Sequence, residues 1–151
     1  MSALDDGAVS AEIGYVYTFI ISSILLTSIT MLSTGMVNDS TRASLRMMLT
    51  DIATHVENEI GEVAATGAKT PNATIEKVVP LQPGGFTLSY SISATDHILY
   101  VNATYQDIRI KKPIMNPGDI RIRGTVSSSA RAMLIRFHTV NGTAQIDMLV
   151  D

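Results

Sequence analysis

Residues Ile13 to Val37 read IGYVYTFIISSILLTSITMLSTGMV, and no charged residue occurs from Ile13 through Asn38. Wound as an α-helix at about 1.5 Å per residue, this run covers about 39 Å, more than the roughly 30 Å hydrocarbon core of a bilayer. Hydroxyls dilute it at Thr18, Ser22, Ser23, Thr27, Ser28, Thr30, Ser33 and Thr34. A helix tolerates them because a Ser or Thr hydroxyl donates to a carbonyl in the preceding turn. Small polar side chains also let neighbouring helices approach closely. The run predicts a helix that crosses a membrane once.

The rest of the composition agrees. The chain has 151 residues, 46% of them hydrophobic and 17% charged, against about 25% charged in an ordinary soluble domain. The net charge of −3 is unevenly placed. Before Asp39 the only charged residues are Asp5, Asp6 and Glu12, so the later residues balance acid against base. No basic excess exists to attract nucleic acid. Cysteine is absent, which excludes disulfides, thiolate metal ligands and thiol catalysis.

A secretory signal peptide fits poorly, because the start is acidic and the apolar run too long. The segment before the run is MSALDDGAVSAEIGYVY. It resembles the N-terminus of archaeal type IV pilin-like proteins, the class of pilins and archaellins with a class III signal peptide. The resemblance rests on the Asp6-Gly7 junction, on Glu12 at the fifth position after it, and on the long apolar run that follows. It covers roughly residues 5–65 and implies a leader at 1–7, removed by a prepilin-type peptidase between Gly7 and Ala8. It further implies a transmembrane and assembly helix at 8–38 and self-association, or association with related pilin-like subunits, into a surface filament. The leader has no Lys or Arg before Gly7, a departure from the commoner basic form.

Glu12 has a physical role in that scheme. A carboxylate at the edge of an apolar helix is costly unless it reaches water or a partner. Cleavage after Gly7 creates a charged amine at Ala8. In a bundle of copies, Glu12 of one subunit neutralises that amine on the next and fixes axial register. Without assembly, Glu12 simply sits at the level of the lipid headgroups.

Two signals disagree on which side the C-terminal part lies. Arg42 and Arg46 follow the apolar run and no basic residue precedes it, so the positive-inside rule puts that part in the cytoplasm. Asn-x-Ser/Thr sequons occur at Asn38, Asn72, Asn102 and Asn141 among the six Asn of the chain. Chance gives about one, and four or more is roughly a 2% event for this motif. The sequons favour an extracellular, glycosylated head, with Asn38 the weakest acceptor because it abuts the membrane run.

From Ser40 to Gly67 the pattern is that of an amphipathic helix, with Leu45, Leu49, Ile52, Val56, Ile60 and Val63 at helical spacing. Glu57, Glu59 and Glu62 occupy other faces, and Gly67 is a stop signal. The expected organisation is a helix over 39–67 continuing the membrane segment, then a head over 68–151. GAKTPNAT at 67–74 reads as a linker. Ile75–Val79, Phe86–Ile92, Ile98–Thr104, Ile120–Val126, Arg131–Val140 and Thr143–Val150 read as strands, with Tyr105–Ile110 an extension or a seventh. Pro83-Gly84-Gly85 and Ala94-Thr95-Asp96 read as turns, Lys111–Asp119 as a loop, and Asn141-Gly142 as a type I′ hairpin turn. The expected fold is α+β: a long N-terminal helix followed by a small antiparallel β-sheet or β-sandwich.

No catalytic constellation is visible. His55, His97 and His138 are scattered without metal-ligand spacing, and no phosphate-binding glycine loop occurs. Asp147 and Asp151 are a carboxylate pair by proximity alone. No cofactor or metal is expected, and the implied partners are membrane lipid, the peptidase and other pilin-like subunits. The alternative is an uncleaved single-pass protein whose extracellular β-domain binds a ligand, glycan or envelope protein.

Overall fold

The computed structural model describes residues 5–70, 72–81, 89–115 and 119–151, with side chains from Glu12 onward. One helix, α1, runs from Asp5 to Lys69. No proline occurs before Pro71, so nothing in the first 70 residues removes a helical hydrogen bond or clashes with the preceding turn. Lys69 places a positive charge in the last turn, favourable to the helix dipole.

Seven strands follow: β1 (Ile75–Pro80), β2 (Tyr90–Thr95), β3 (Ile98–Ala103), β4 (Ile108–Pro113), β5 (Arg121–Ser127), β6 (Ala132–Val140) and β7 (Thr143–Val150). They form one sheet in the order β1-β6-β7-β5-β2-β3-β4. The fold is therefore α+β with a single sheet rather than a sandwich. All neighbours are antiparallel except β5 and β7, which are parallel. The β6–β7 hairpin inserts between β1 and β5, and that placement forces the parallel pair.

The chain divides into two compact units, Met1–Arg42 and Ala43–Asp151. Within the second, the helix buries the expected stripe. Leu49, Ile52, Val56, Ile60 and Val63 are buried and Leu45 is partly so, with Ala53 and Ala64 filling the same face. Their partners are the inward rows of the sheet, among them Ile92, Leu99, Val101, Ile122, Ile135, Phe137 and Ile146. Each large aliphatic side chain so buried contributes about 1.5–3 kcal/mol.

Several local expectations change. Gly67 does not end the helix, which continues to Lys69. A Cβ at Gly67 would lie 2.5 Å from the Phe137 ring, so its missing side chain is what lets the helix approach β6. Tyr105–Ile110 splits into a 3-10 turn at Tyr105–Asp107 and the start of β4. Lys111 and Lys112 lie in β4 rather than in a loop. The turn after β2 falls at Asp96, whose φ is 50°. The expected turn at Pro83-Gly84-Gly85 and the residues Phe86–Leu88 lie outside the described residues. Asn141 (φ 51°) and Gly142 (φ 81°) have the two positive φ angles of a type I′ turn, as expected.

The edges of the sheet are managed by charge. β1 and β4 are the edge strands. Each turns one lysine inward, and each lysine meets helix carboxylates. Lys77 Nζ lies 2.6 Å from both Glu59 and Glu62, and Lys112 Nζ lies 2.7 Å from Glu57 and donates to the Thr54 hydroxyl at 2.8 Å. A flat seven-stranded sheet is about 29 Å wide at 4.8 Å per gap, yet both edges reach one helix about 10–12 Å thick. The sheet is therefore curled around the helix. Inward lysines, with Pro80 and Pro113 ending the two edge strands, discourage strand addition from another chain.

Candidate membrane and assembly segment

Every described residue from Glu12 to Ser44 is exposed. The helix Glu12–Lys69 contains the one stretch among the described residues that is long and apolar enough to cross a membrane, and none of that stretch is buried. It lies near the N-terminus and is the coarse signature of a single-pass anchor. Exposed apolar side chains surround the helix here: Phe19 (73%), Met31 (74%) and Leu32 (69%) stand roughly 100–140° apart about its axis, and Leu26 (69%) shares the face of Phe19. Water is a poor solvent for such a surface, which calls for lipid or other protein on all sides.

The hydroxyls are satisfied within the helix. Thr18 donates to Gly14 O, Thr27 to Ser23 O, Ser28 to Ile24 O and Thr30 to Leu26 O, each at 2.8 Å, and Thr34 to Thr30 O at 2.9 Å. These bonds lower the cost of placing the hydroxyls in a medium without water. Tyr15 and Tyr17, 78% and 63% exposed, stand at the start of the run. Amphipathic rings of this kind prefer the interface between hydrocarbon and water. From Tyr17 to Asn38 the helix rises roughly 31 Å, close to one hydrocarbon thickness.

Gly7 and Ala8 fall in the first turns of α1, and Glu12 is exposed on it. Asn38 is also exposed on the helix. Asn72 is exposed between α1 and β1, and Asn141 is exposed in the β6–β7 turn. Ile75 pairs with Phe137, so Asn72 and Asn141 belong to the same end of the sheet. Asn102 differs: it lies half-buried on β3 and its Oδ1 accepts from Arg109 Nε at 2.9 Å. The four sequons are thus not one cluster.

The remaining polar groups are mostly engaged. Asp147 accepts from Gln145 Nε2 at 2.7 Å and from Arg123 Nε at 3.0 Å. Partial burial pushes its carboxyl up, but those two hydrogen bonds and the charges of Arg123 and His138 outweigh it and hold it below its ordinary value. Asp147 is therefore tied to Arg123 and Gln145 rather than paired with Asp151. Hydrogen bonds with Glu59 and then Glu62 hold the Lys77 ammonium above its ordinary value. His55, His97 and His138 sit on the helix, in the β2–β3 turn and on β6. Among the described residues, no three His, Asp or Glu side chains converge as a metal-ligand set.

An apolar cleft of about 530 Å³ lies between the helix and the sheet, lined by Met47, Met48, Ile52, Val79, Leu81 and Tyr90 among others, with Asp51 and His55 at its polar side. The sequence signal of the inward lysines is their register: each occupies an alternate position in a strand whose other inward residues are apolar. Searches against protein-family models, curated proteins and solved structures find no match to this chain.

Proposed function

We propose that the chain is a type IV pilin-like structural subunit, stored in the cell membrane by its N-terminal helix with the β head outside, and assembled into a surface filament after cleavage between Gly7 and Ala8. The observation that carries the reading is the segment 13–37, apolar around its whole circumference and covered by nothing in its own unit. In lipid that surface is satisfied by acyl chains. In a filament it is satisfied by the same segment of other copies, through close packing of small hydroxyl residues. Blunted sheet edges direct association to the helix rather than to strand addition. Glu12 supplies the carboxylate that pairs with the new Ala8 amine. Exposed Asn72 and Asn141 fit glycan attachment on an outside head, better than Asn102, whose amide group is engaged by Arg109.

N-terminal sequencing of protein from its native membrane or from sheared filaments tests the proposal. An Ala8 start is expected. A start at Met1 or Ser2 supports the second reading, an uncleaved anchored β-domain, which the acidic residues before Gly7 favour. Glu12→Ala is expected to insert normally into membrane and to reduce filament yield. Normal yield from that variant removes the pairing role.

A further inference from the structure

The outward face of the sheet has a charge opposite to that of the chain. Alternation along the strands turns Arg109 and Lys111 of β4, Arg121 and Arg123 of β5 and Arg136 of β6 away from the helix. Against these five cations the outward rows of the strands carry two carboxylates, Glu76 and Asp147. The whole chain is −3. Two arginines are neutralised, Arg136 by Glu76 at 2.6 Å and Arg123 by Asp147 at 3.0 Å. Arg109 donates only to the neutral Asn102, and Lys111 and Arg121 have no carboxylate within ion-pair distance among the described residues.

Arg109 and Lys111 border a plain of short polar side chains, whereas Arg121 stands beyond Arg123 on β5 and shares a recess with Asp96 and Asp119. One row across the sheet runs Lys111, Tyr100, Ser93, Thr125, each registered with the next. The adjacent row begins Arg109, Asn102, Ser91. Each cation-headed row thus extends from the open β4 edge over hydroxyls, and the first contains one aromatic ring. Successive strands are about 4.8 Å apart and alternate residues along a strand about 7 Å, a spacing on the scale of sugar rings.

We infer that this outward face, β5-β2-β3-β4, binds an acidic polysaccharide, a polymer bearing carboxylates on its sugar rings. The carboxylates go to Arg109 and Lys111. The ring hydroxyls exchange hydrogen bonds with the Ser and Thr hydroxyls. A sugar face packs on Tyr100, whose ring gives apolar area beside a polar tip. A nucleic acid fits less well, because strand-tracking sites use several stacking aromatics and the outward rows of these four strands hold Tyr100 alone. A protein partner fits less well, because the centre of the plain is hydroxylic rather than apolar. The inference needs the head to face the cell exterior and does not depend on polymerisation.

The test uses the full chain in detergent micelles on immobilised polygalacturonate, with neutral dextran and double-stranded DNA as comparisons. Retention on polygalacturonate is expected, with little on dextran and less on DNA. It should weaken when salt is raised from about 0.1 M to about 0.5 M, as exposed ion pairs are screened. The double variant Arg109→Gln, Lys111→Gln is expected to bind about tenfold more weakly, and Tyr100→Ala about fivefold more weakly. The substituted cations are exposed, so the unfolding midpoint of the double variant should match the parent. No retention of the parent on polygalacturonate overturns the inference. So does equal retention on dextran or DNA, insensitivity to salt, or undiminished binding by the double variant. None of these outcomes bears on the Ala8 start or on filament yield.

Discussion

Residues 13–37 and 45–64 belong to one helix with the same backbone hydrogen-bonding scheme, yet their side chains meet opposite circumstances. In the second stretch the apolar residues form one stripe, and a curled sheet covers it. In the first they surround the axis, and nothing in that unit covers them. A helix of either kind is easily specified locally; what differs is the solvent each surface requires. The second unit closes its core on itself, helix stripe against sheet, whereas the exposed apolar stretch calls for lipid or other protein around it.

Substitutions sharpen or break that contrast. The largest effect is expected at Gly124, which has φ +136° and whose added Cβ would press into Met148 of the parallel neighbour β7. Gly124→Val should lower head stability by about 3–5 kcal/mol, measured by chemical denaturation of the full chain in detergent, because strain and overpacking act together. Next comes a matched pair. Ile60→Ala should cost about 2–5 kcal/mol through cavity formation, while Ile24→Ala should leave head unfolding unchanged. Equal effects from the two would break the contrast between the stretches. Leu25→Lys reverses the readout: membrane retention should weaken by about 2.5–3.5 kcal/mol, with the unfolding midpoint of the head preserved.

Smaller effects probe the sheet edges and outer face. Lys112→Gln should cost about 1 kcal/mol or less, since its pair with Glu57 is only partly shielded. It should also raise aggregation, seen by light scattering, by removing an inward edge charge. The smallest effect is a pH slope. Asp147 titrates below its ordinary value of 3.8 in the folded chain, so its contribution is fully present above that value and is lost as pH falls through the lower folded one. Asp147→Asn should flatten that acid limb of the stability curve. An unchanged limb would mean that Arg123 and Gln145 do not favour the ionised form.

Much of the architecture was legible from residue pattern. The helical stripe from Leu45 to Val63 and the Asn141-Gly142 turn rest on local geometry, spacing in one case and backbone chirality in the other. Gly67 is ambiguous in sequence because a glycine near a helix end has two uses, as a terminator and as a gap for a neighbouring ring, and only the position of Phe137 distinguishes them. Lys111-Lys112 looked like a solvated loop because adjacent lysines before a proline have no apolar rhythm. In the sheet the two point to opposite faces, one to a helix carboxylate and one to the outer surface. The apolar stretch long enough to cross a membrane needed no tertiary information at all, whereas the outward cationic face could not be assembled from sequence, since its residues come from strands far apart in the chain.

By itself the sequence determined the elements that depend on neighbouring residues: the long helix uninterrupted by proline, its uncharged apolar stretch, the amphipathic continuation and the short strands. Tertiary structure alone decided strand order, the parallel β5–β7 pair, the capture of Lys77 and Lys112 by helix carboxylates, and which charges share the outer face. The physical reason is range. Backbone propensity and hydrophobic period act over a few residues, while pairing and charge neutralisation depend on which distant segments the buried core brings together.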